Sequence, residues 1–206
     1  DPTRRRFLAQ GMNAGITAAA VTFTGFGITE ARRIPEIKKV SVPMAGLPAS
    51  LDGFRIVQIT DIHVSPTIKR PFVEGVVRRV NTLDADIVAL TGDLVDGSVQ
   101  RLSGDVEPLA DIRARYGRYF VTGNHEYYSG VDRWVEKVAS LGFTVLLNEH
   151  RLLNHAGGSI LLAGVTDYRA GSRVPGHRSD PEKALAGAPP ADVKILLAHQ
   201  PKSVVA

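Results

Sequence analysis

The chain has 206 residues, 44% of them apolar and 22% charged. That composition supports a packed core and excludes disorder as a description of the whole chain. Cysteine is absent, which excludes disulfides, cysteine nucleophiles, zinc–thiolate fingers and iron–sulfur clusters. The formal net charge is +4, and Arg4, Arg5, Arg6, Arg32, Arg33, Lys38 and Lys39 all lie near the N-terminus. The basic balance is thus partly a property of that segment, and nucleic acid is not indicated as a partner.

In chain order, Thr3-Arg4-Arg5-Arg6-Phe7-Leu8-Ala9 comes first. A charge-free stretch rich in Ala, Gly and Thr follows, from about Met12 to Ile28. It is short for a membrane span, which needs ~20 apolar residues. A basic start before a modest apolar stretch has the shape of an export signal. The consecutive arginines before Phe7-Leu8 resemble a twin-arginine signal, an address read by dedicated export machinery. On this basis residues 1–35 are expected to be a signal and the protein to be exported, periplasmic or in the cell envelope. Thr29-Glu30-Ala31 is a poor small-x-small cleavage site, so anchorage of the N-terminus at a membrane surface stays open.

Residues 36–206 are read as the folded domain. Strands are expected at Lys39–Pro43, Phe54–Thr60, Asp86–Thr91, Arg118–Thr122, Phe143–Leu147, Ser159–Ala163 and Val193–Ala198. Several are unbroken Val/Ile/Leu runs, the pattern of strands buried on both faces. Helices are expected at about Arg70–Leu83, Gly104–Arg115, Gly130–Leu141 and Pro181–Ala186. The last has Asp180 as an N-cap and Pro181 at its first position. Alternation of strand and helix argues for a layered α/β fold.

Four of these strands run into polar clusters: Asp61-Ile62-His63, Gly92-Asp93-Leu94-Val95-Asp96, Gly123-Asn124-His125-Glu126 and His199-Gln200-Pro201. Ligand sites in α/β sheets form outside the carboxyl ends of strands, so four neighbouring parallel strands are expected to converge on one crevice. Carboxylate oxygens and imidazole nitrogens suit Mn, Fe, Zn or Mg. Alternation along an extended chain would put Asp61 and His63 on one side, able to chelate one ion. Gly92 and Gly123 permit sharp turns and close approach. Each cluster alone is an ordinary cap or turn; the ordered set of four is not.

The set resembles the calcineurin-like metallophosphoesterases, whose ordered motifs are Asp-x-His, Gly-Asp-x-x-Asp, Gly-Asn-His-Asp/Glu, a lone His and Gly-His-x-His. The first four match Asp61/His63, Gly92/Asp93/Asp96, Gly123/Asn124/His125/Glu126 and His199. With the N-terminal arginines, the chain looks like an exported bacterial branch. The fifth motif is missing, since the chain stops at Ala206, and the resemblance therefore implies a C-terminally incomplete α/β/β/α sandwich. It also implies two divalent cations and hydrolysis of a phosphate-ester substrate, either a monoester or a diester. Asp61 and His63 would bind one ion, Asn124 and His199 the other, and Asp93 both. His125 would serve catalysis without being a ligand, and Asp96 and Glu126 would orient it or a ligand.

A silent envelope-binding protein on the same scaffold is the alternative, disfavoured by the intact residue set. An Asp-nucleophile hydrolase would need Asp-x-Asp where Asp61-Ile62-His63 stands. Trp134 and Phe143 are expected in the core, and His150 and His155 in an exposed turn. Thr166–Ser179 is expected as a solvated loop, the other reading being a rim whose arginines meet substrate phosphate.

Overall fold

The computed structural model describes residues 2–205, and the chain divides after Ile37 into two units. The first unit holds α1 (Pro2–Ala31), a helix of 30 residues with every side chain exposed. It runs unbroken through Thr29-Glu30-Ala31. Its four glycines, Gly11, Gly15, Gly25 and Gly27, are each ~1 kcal/mol less favourable than alanine in a helix. Among the described residues no helix is long and apolar enough to cross a membrane.

The second unit carries two sheets. In the first, β1 (Ile56–Ile59), β2 (Ile87–Thr91), β3 (Arg118–Val121) and β4 (Thr144–Val145) lie parallel in that order. Between these strands come α2 (Arg70–Val80), α3 (Val99–Val106), α4 (Asn124–Ser129) and α5 (Val131–Ser140). In the second sheet, β5 (Glu149–His155) runs antiparallel to β6 (Gly158–Gly164), and β6 parallel to β7 (Val193–Leu197).

Strand pleating sorts the layers. On β2 and β3, Val88, Leu90 and Phe120 join the core formed with Val73, Val77, Leu102, Val106, Trp134 and Val138 of the helices. Ile87, Ala89, Tyr119 and Val121 point the other way, against Leu153, Ile160, Leu162 and Val193 of the second sheet. The outer face of that sheet packs Ala163 and Leu196 against Ala184 of α6 (Pro181–Leu185). The order is helices, sheet, sheet, helix, as expected. All five residues of β2 are buried, which is why it reads as a continuous apolar run.

Several elements differ from the sequence reading. Lys39–Pro43 forms no strand, and Val40 and Val42 are exposed; alternation without a neighbouring ladder does not make a strand. The helix expected at Gly104–Arg115 begins at Val99, and a 3₁₀ turn, Glu107–Asp111, replaces its second half. Pro108 lacks the N–H an α-helix needs, and its ring crowds the carbonyl four residues back. The supposed turn at His150 and His155 is β5, folded back on β6 through Ala156 (φ 49°) and Gly157 (φ 90°), the two left-handed residues of a tight hairpin. Neither histidine is free in solvent: His150 Nδ1 meets the Ala184 carbonyl at 2.7 Å and His155 Nδ1 meets the Tyr116 hydroxyl at 2.7 Å. The strand ending at His199, β7, lies in the second sheet, so the four polar clusters do not come from one row of parallel strands. Trp134 and Phe143 are buried as expected.

Candidate metal centre

The turns after β1 and β2 are fastened together. Asp61 N donates to Gly92 O (3.2 Å), His63 N to Asp93 O (3.1 Å) and Val64 N to Leu94 O (2.8 Å), while Asp96 N returns to Val64 O (2.8 Å). Asp61 (φ 55°), His63 (φ 50°) and Asp93 (φ 52°) all adopt left-handed backbone. The expected extended alternation of Asp61 and His63 is therefore absent. The two side chains converge through a coiled turn instead, with His63 Nε2 at 3.8 Å from Asp61 Oδ1. Left-handed backbone at a non-glycine residue costs of order 1–3 kcal/mol, and here the neighbouring turn imposes it.

The turn after β3 closes on the same place. A Cβ at Gly123 would strike the Asp93 amide and carboxylate, and one at Gly92 would strike the Gly123 backbone. The two turns touch because neither glycine has a side chain. Fully buried Glu126 locks this contact, accepting from Gly123 N (2.7 Å), Leu94 N (2.8 Å) and Asp93 N (3.0 Å). Burial pushes its carboxyl up, against the pull of those three donors and with the push of the Asp93 charge. Glu126 thus acts on the backbone of Asp93 rather than on the His125 ring.

Asp93 is the hub. His125 N donates to Asp93 Oδ1 at 2.9 Å. Three imidazoles turn Nε2 toward Asp93 Oδ2: His199 at 3.3 Å, His63 at 3.9 Å and His125 at 3.9 Å. Their other ring nitrogens are occupied. His199 Nδ1 meets the Thr91 carbonyl at 2.9 Å, and a carbonyl only accepts, so Nδ1 carries the hydrogen. His63 Nδ1 and His125 Nδ1 both reach Asp96 Oδ1, at 3.0 and 2.5 Å. Nε2 of each ring is left to face the centre, the arrangement by which carboxylates and carbonyls orient metal-binding histidines. His199 is nearly buried, its side chain 9% exposed, whereas His63 and His125 are a third exposed. Burial acts to raise the Asp93 carboxyl, but its hydrogen bonds to His199 and His125 and their charges hold it below the usual range. The Asp93 hydrogen bond lifts His199 to about 9 against its own burial.

Among the described residues two sets of donors, Asp61/Asp93/His199 and His63/Asp96/His125, each gather their ligand atoms within 4.8 Å. Asp93 belongs to the first set, and the expected partners Asp61 and His63 fall in different sets although their side chains meet at 3.8 Å. Asn124 opens α4 one residue before His125, and its Oδ1 sits 3.5 Å from Gln200 Nε2. Gln200 Nε2 also donates to Asp167 Oδ1 at 2.9 Å. Burial pushes the Asp167 carboxyl up, against the Arg169 amide. Neither Asp167 nor Gln200 was among the expected site residues. Asp167 carries the same signal as the others, an acid following an apolar strand, here β6.

Thr166–Ser179 is anchored at several points, while Tyr168, Arg169, Arg173 and Arg178 stay exposed as expected of a solvated loop. Thr166 Oγ1 donates to His177 O (2.7 Å), Asn148 Nδ2 donates to Arg178 O (2.8 Å), and His177 Nδ1 meets the Tyr127 hydroxyl at 3.1 Å.

Residues 54–204 match the calcineurin-like phosphoesterase family. The chain is 41% identical over 181 residues to a transmembrane protein with metallophosphoesterase domain from Danio rerio, covering 85% of this chain and 41% of that protein. A protein of the same description from Bos taurus is 39% identical over 209 residues, covering 98% and 46%. An uncharacterized metallophosphoesterase of Helicobacter pylori is 34% identical over 202 residues, covering 98% and 52%. The chain thus spans about half the length of these curated relatives or less. They correct the expected location. Relatives occur in animals as well as bacteria, and those from Danio rerio and Bos taurus are named transmembrane proteins, so twin-arginine export to a periplasm is withdrawn.

Proposed function

Because this chain belongs to the calcineurin-like phosphoesterase family, whose members are metal-dependent phosphoesterases, we propose that it hydrolyses phosphomonoester or phosphodiester bonds with two divalent cations. The observation that carries this reading is the hub at Asp93, with three imidazoles presenting Nε2 to one carboxylate oxygen while their Nδ1 atoms are held from outside. Oxygen and nitrogen donors of this kind suit Mn, Fe, Zn or Mg.

Asp61, His63, Asp93, Asn124 and His199 would hold the cations, with Asp93 shared. Its charge would offset the repulsion between two dications held there. A bound pair would supply Lewis acidity at phosphorus and a water deprotonated near neutral pH. The remaining work falls to the protein. Asp96 fixes the His63 and His125 rings, and Glu126 holds the Asp93 turn against Gly123. His125 would carry a proton on Nε2 and deliver it to the leaving oxygen, with Nδ1–H held on Asp96.

The test is hydrolysis of bis-p-nitrophenyl phosphate and p-nitrophenyl phosphate by the full-length protein. Turnover of at least one substrate is expected with Mn²⁺, abolished by chelation and restored by re-addition, with Asp93→Asn losing both metal and turnover. Turnover insensitive to chelation, or none with metal bound, would refute the reading.

A further inference from the structure

The segment Thr166–Ser179 carries Arg169, Arg173 and Arg178 against one carboxylate, Asp167. That carboxylate is buried on Gln200, whereas the three arginines are exposed. Arg173 is the arginine with a defined place. Its guanidinium lies over the Tyr128 ring, 4.8 Å from the centroid. Tyr128 in turn meets the His125 ring edge to face at 5.3 Å and is 53% exposed. His125, Tyr128 and Arg173 thus form a continuous row from the hub to the rim. Tyr128 belongs to α4, the element that delivers His125, so the row is tied to the site by the backbone. The Tyr127–His177 contact and the Asn148 bond to Arg178 O hold the loop over that helix. A guanidinium stacked on an aromatic face keeps its in-plane N–H donors free to bind an anion.

We propose that Arg173, seated on Tyr128, reads a second anionic group on the leaving-group side of the substrate. The preferred substrates are then phosphoesters whose leaving group is itself negatively charged. This rests on the phosphoesterase reading, in which His125 faces the leaving oxygen.

The test separates binding from turnover. Phenylphosphonate and 3-carboxyphenylphosphonate, which cannot be hydrolysed as esters, are titrated by calorimetry into the full-length Mn²⁺-loaded protein. Phosphate release is measured in parallel from phenyl phosphate and 3-carboxyphenyl phosphate. The carboxylated ligand is expected to bind about tenfold tighter, the scale of one charge-assisted hydrogen bond. Arg173→Ala should collapse that ratio and Arg173→Lys should restore part of it. Equal binding of the two ligands, a ratio that survives Arg173→Ala, or no binding of either would overturn the proposal. A binding preference without any phosphate release, in protein that also fails to turn over bis-p-nitrophenyl phosphate, leaves the rim standing and removes the phosphoesterase reading. Release of phosphate without preference does the reverse.

Discussion

His125 and His199 use the same device for different ends. Each has Nδ1 tied to an acceptor and Nε2 facing Asp93, yet His199 is nearly buried while His125 borders Tyr128 at the rim. If His125 is the proton donor, His125→Ala should lower turnover ~10²–10⁴-fold with metal content retained. The loss should shrink for p-nitrophenyl esters, whose leaving group needs little protonation. Metal loss in this variant, read by elemental analysis, would make His125 a ligand instead. The Asp93–His199 pair has its own signature in protein stripped of metal. His199 is raised from 6.5 to about 9, so its contribution is full below pH 6.5 and is lost as pH climbs through 9. Asp93 is lowered, so its contribution is present above its ordinary pKa near 4 and is lost in acid below that. Thermal unfolding of the chelated protein should therefore show a falling Tm between pH 6.5 and 9, and His199→Gln should flatten that slope. An unchanged slope in the variant would mean the pair adds nothing to stability.

The elements of the first sheet were legible because each announces itself locally. Ile87–Thr91 is an apolar run, and Val73, Val76, Val77 and Val80 share one face of α2. What was illegible depended on partners. Lys39–Pro43 alternates but has no neighbour, and β5 has little apolar character yet is a strand because β6 pairs with it along its length. Only Ala156-Gly157-Gly158 signalled that hairpin. For the site, the residue types were legible but their geometry was not, since left-handed backbone at Asp61, His63 and Asp93 is imposed by the adjoining turns. The contact between the turns after β2 and β3 is the element-level requirement. Gly123→Ala must push the Asp93 turn away and should cost roughly 1–3 kcal/mol, with loss of metal binding. Gly130, at φ 96° with open space around its Cβ position, is the control. Gly130→Ala should cost about 1 kcal/mol from backbone strain alone and leave metal affinity intact. Urea unfolding and Mn²⁺ titration of the two variants give both readouts, and unaltered metal affinity in Gly123→Ala would show that the turn contact does not set the site.

At the scale of the whole domain, the centre straddles two sheets. Asp61, Asp93 and His125 follow strands of the first, whereas His199 follows β7 of the second and is tied across by its bond to the Thr91 carbonyl. The distance between His199 and Asp93 is therefore set by the apolar layer between the sheets, where Leu162 is fully buried beside Ile87, Val121 and Leu197. Leu109 is equally buried but lies in the other core, between the first sheet and its helices. Truncating either leucine to alanine should cost about 2–5 kcal/mol of stability. The consequences for metal should differ. A cavity at Leu162 lets the sheets settle toward each other and shifts β7 against β2, whereas a cavity at Leu109 relaxes a helix on the far side of the sheet from His199. Leu162→Ala should thus weaken Mn²⁺ binding well beyond Leu109→Ala, compared at a temperature where both variants are fully folded. Equal affinity in the two variants would mean the His199–Thr91 bond alone fixes the ligand, independently of how the sheets pack.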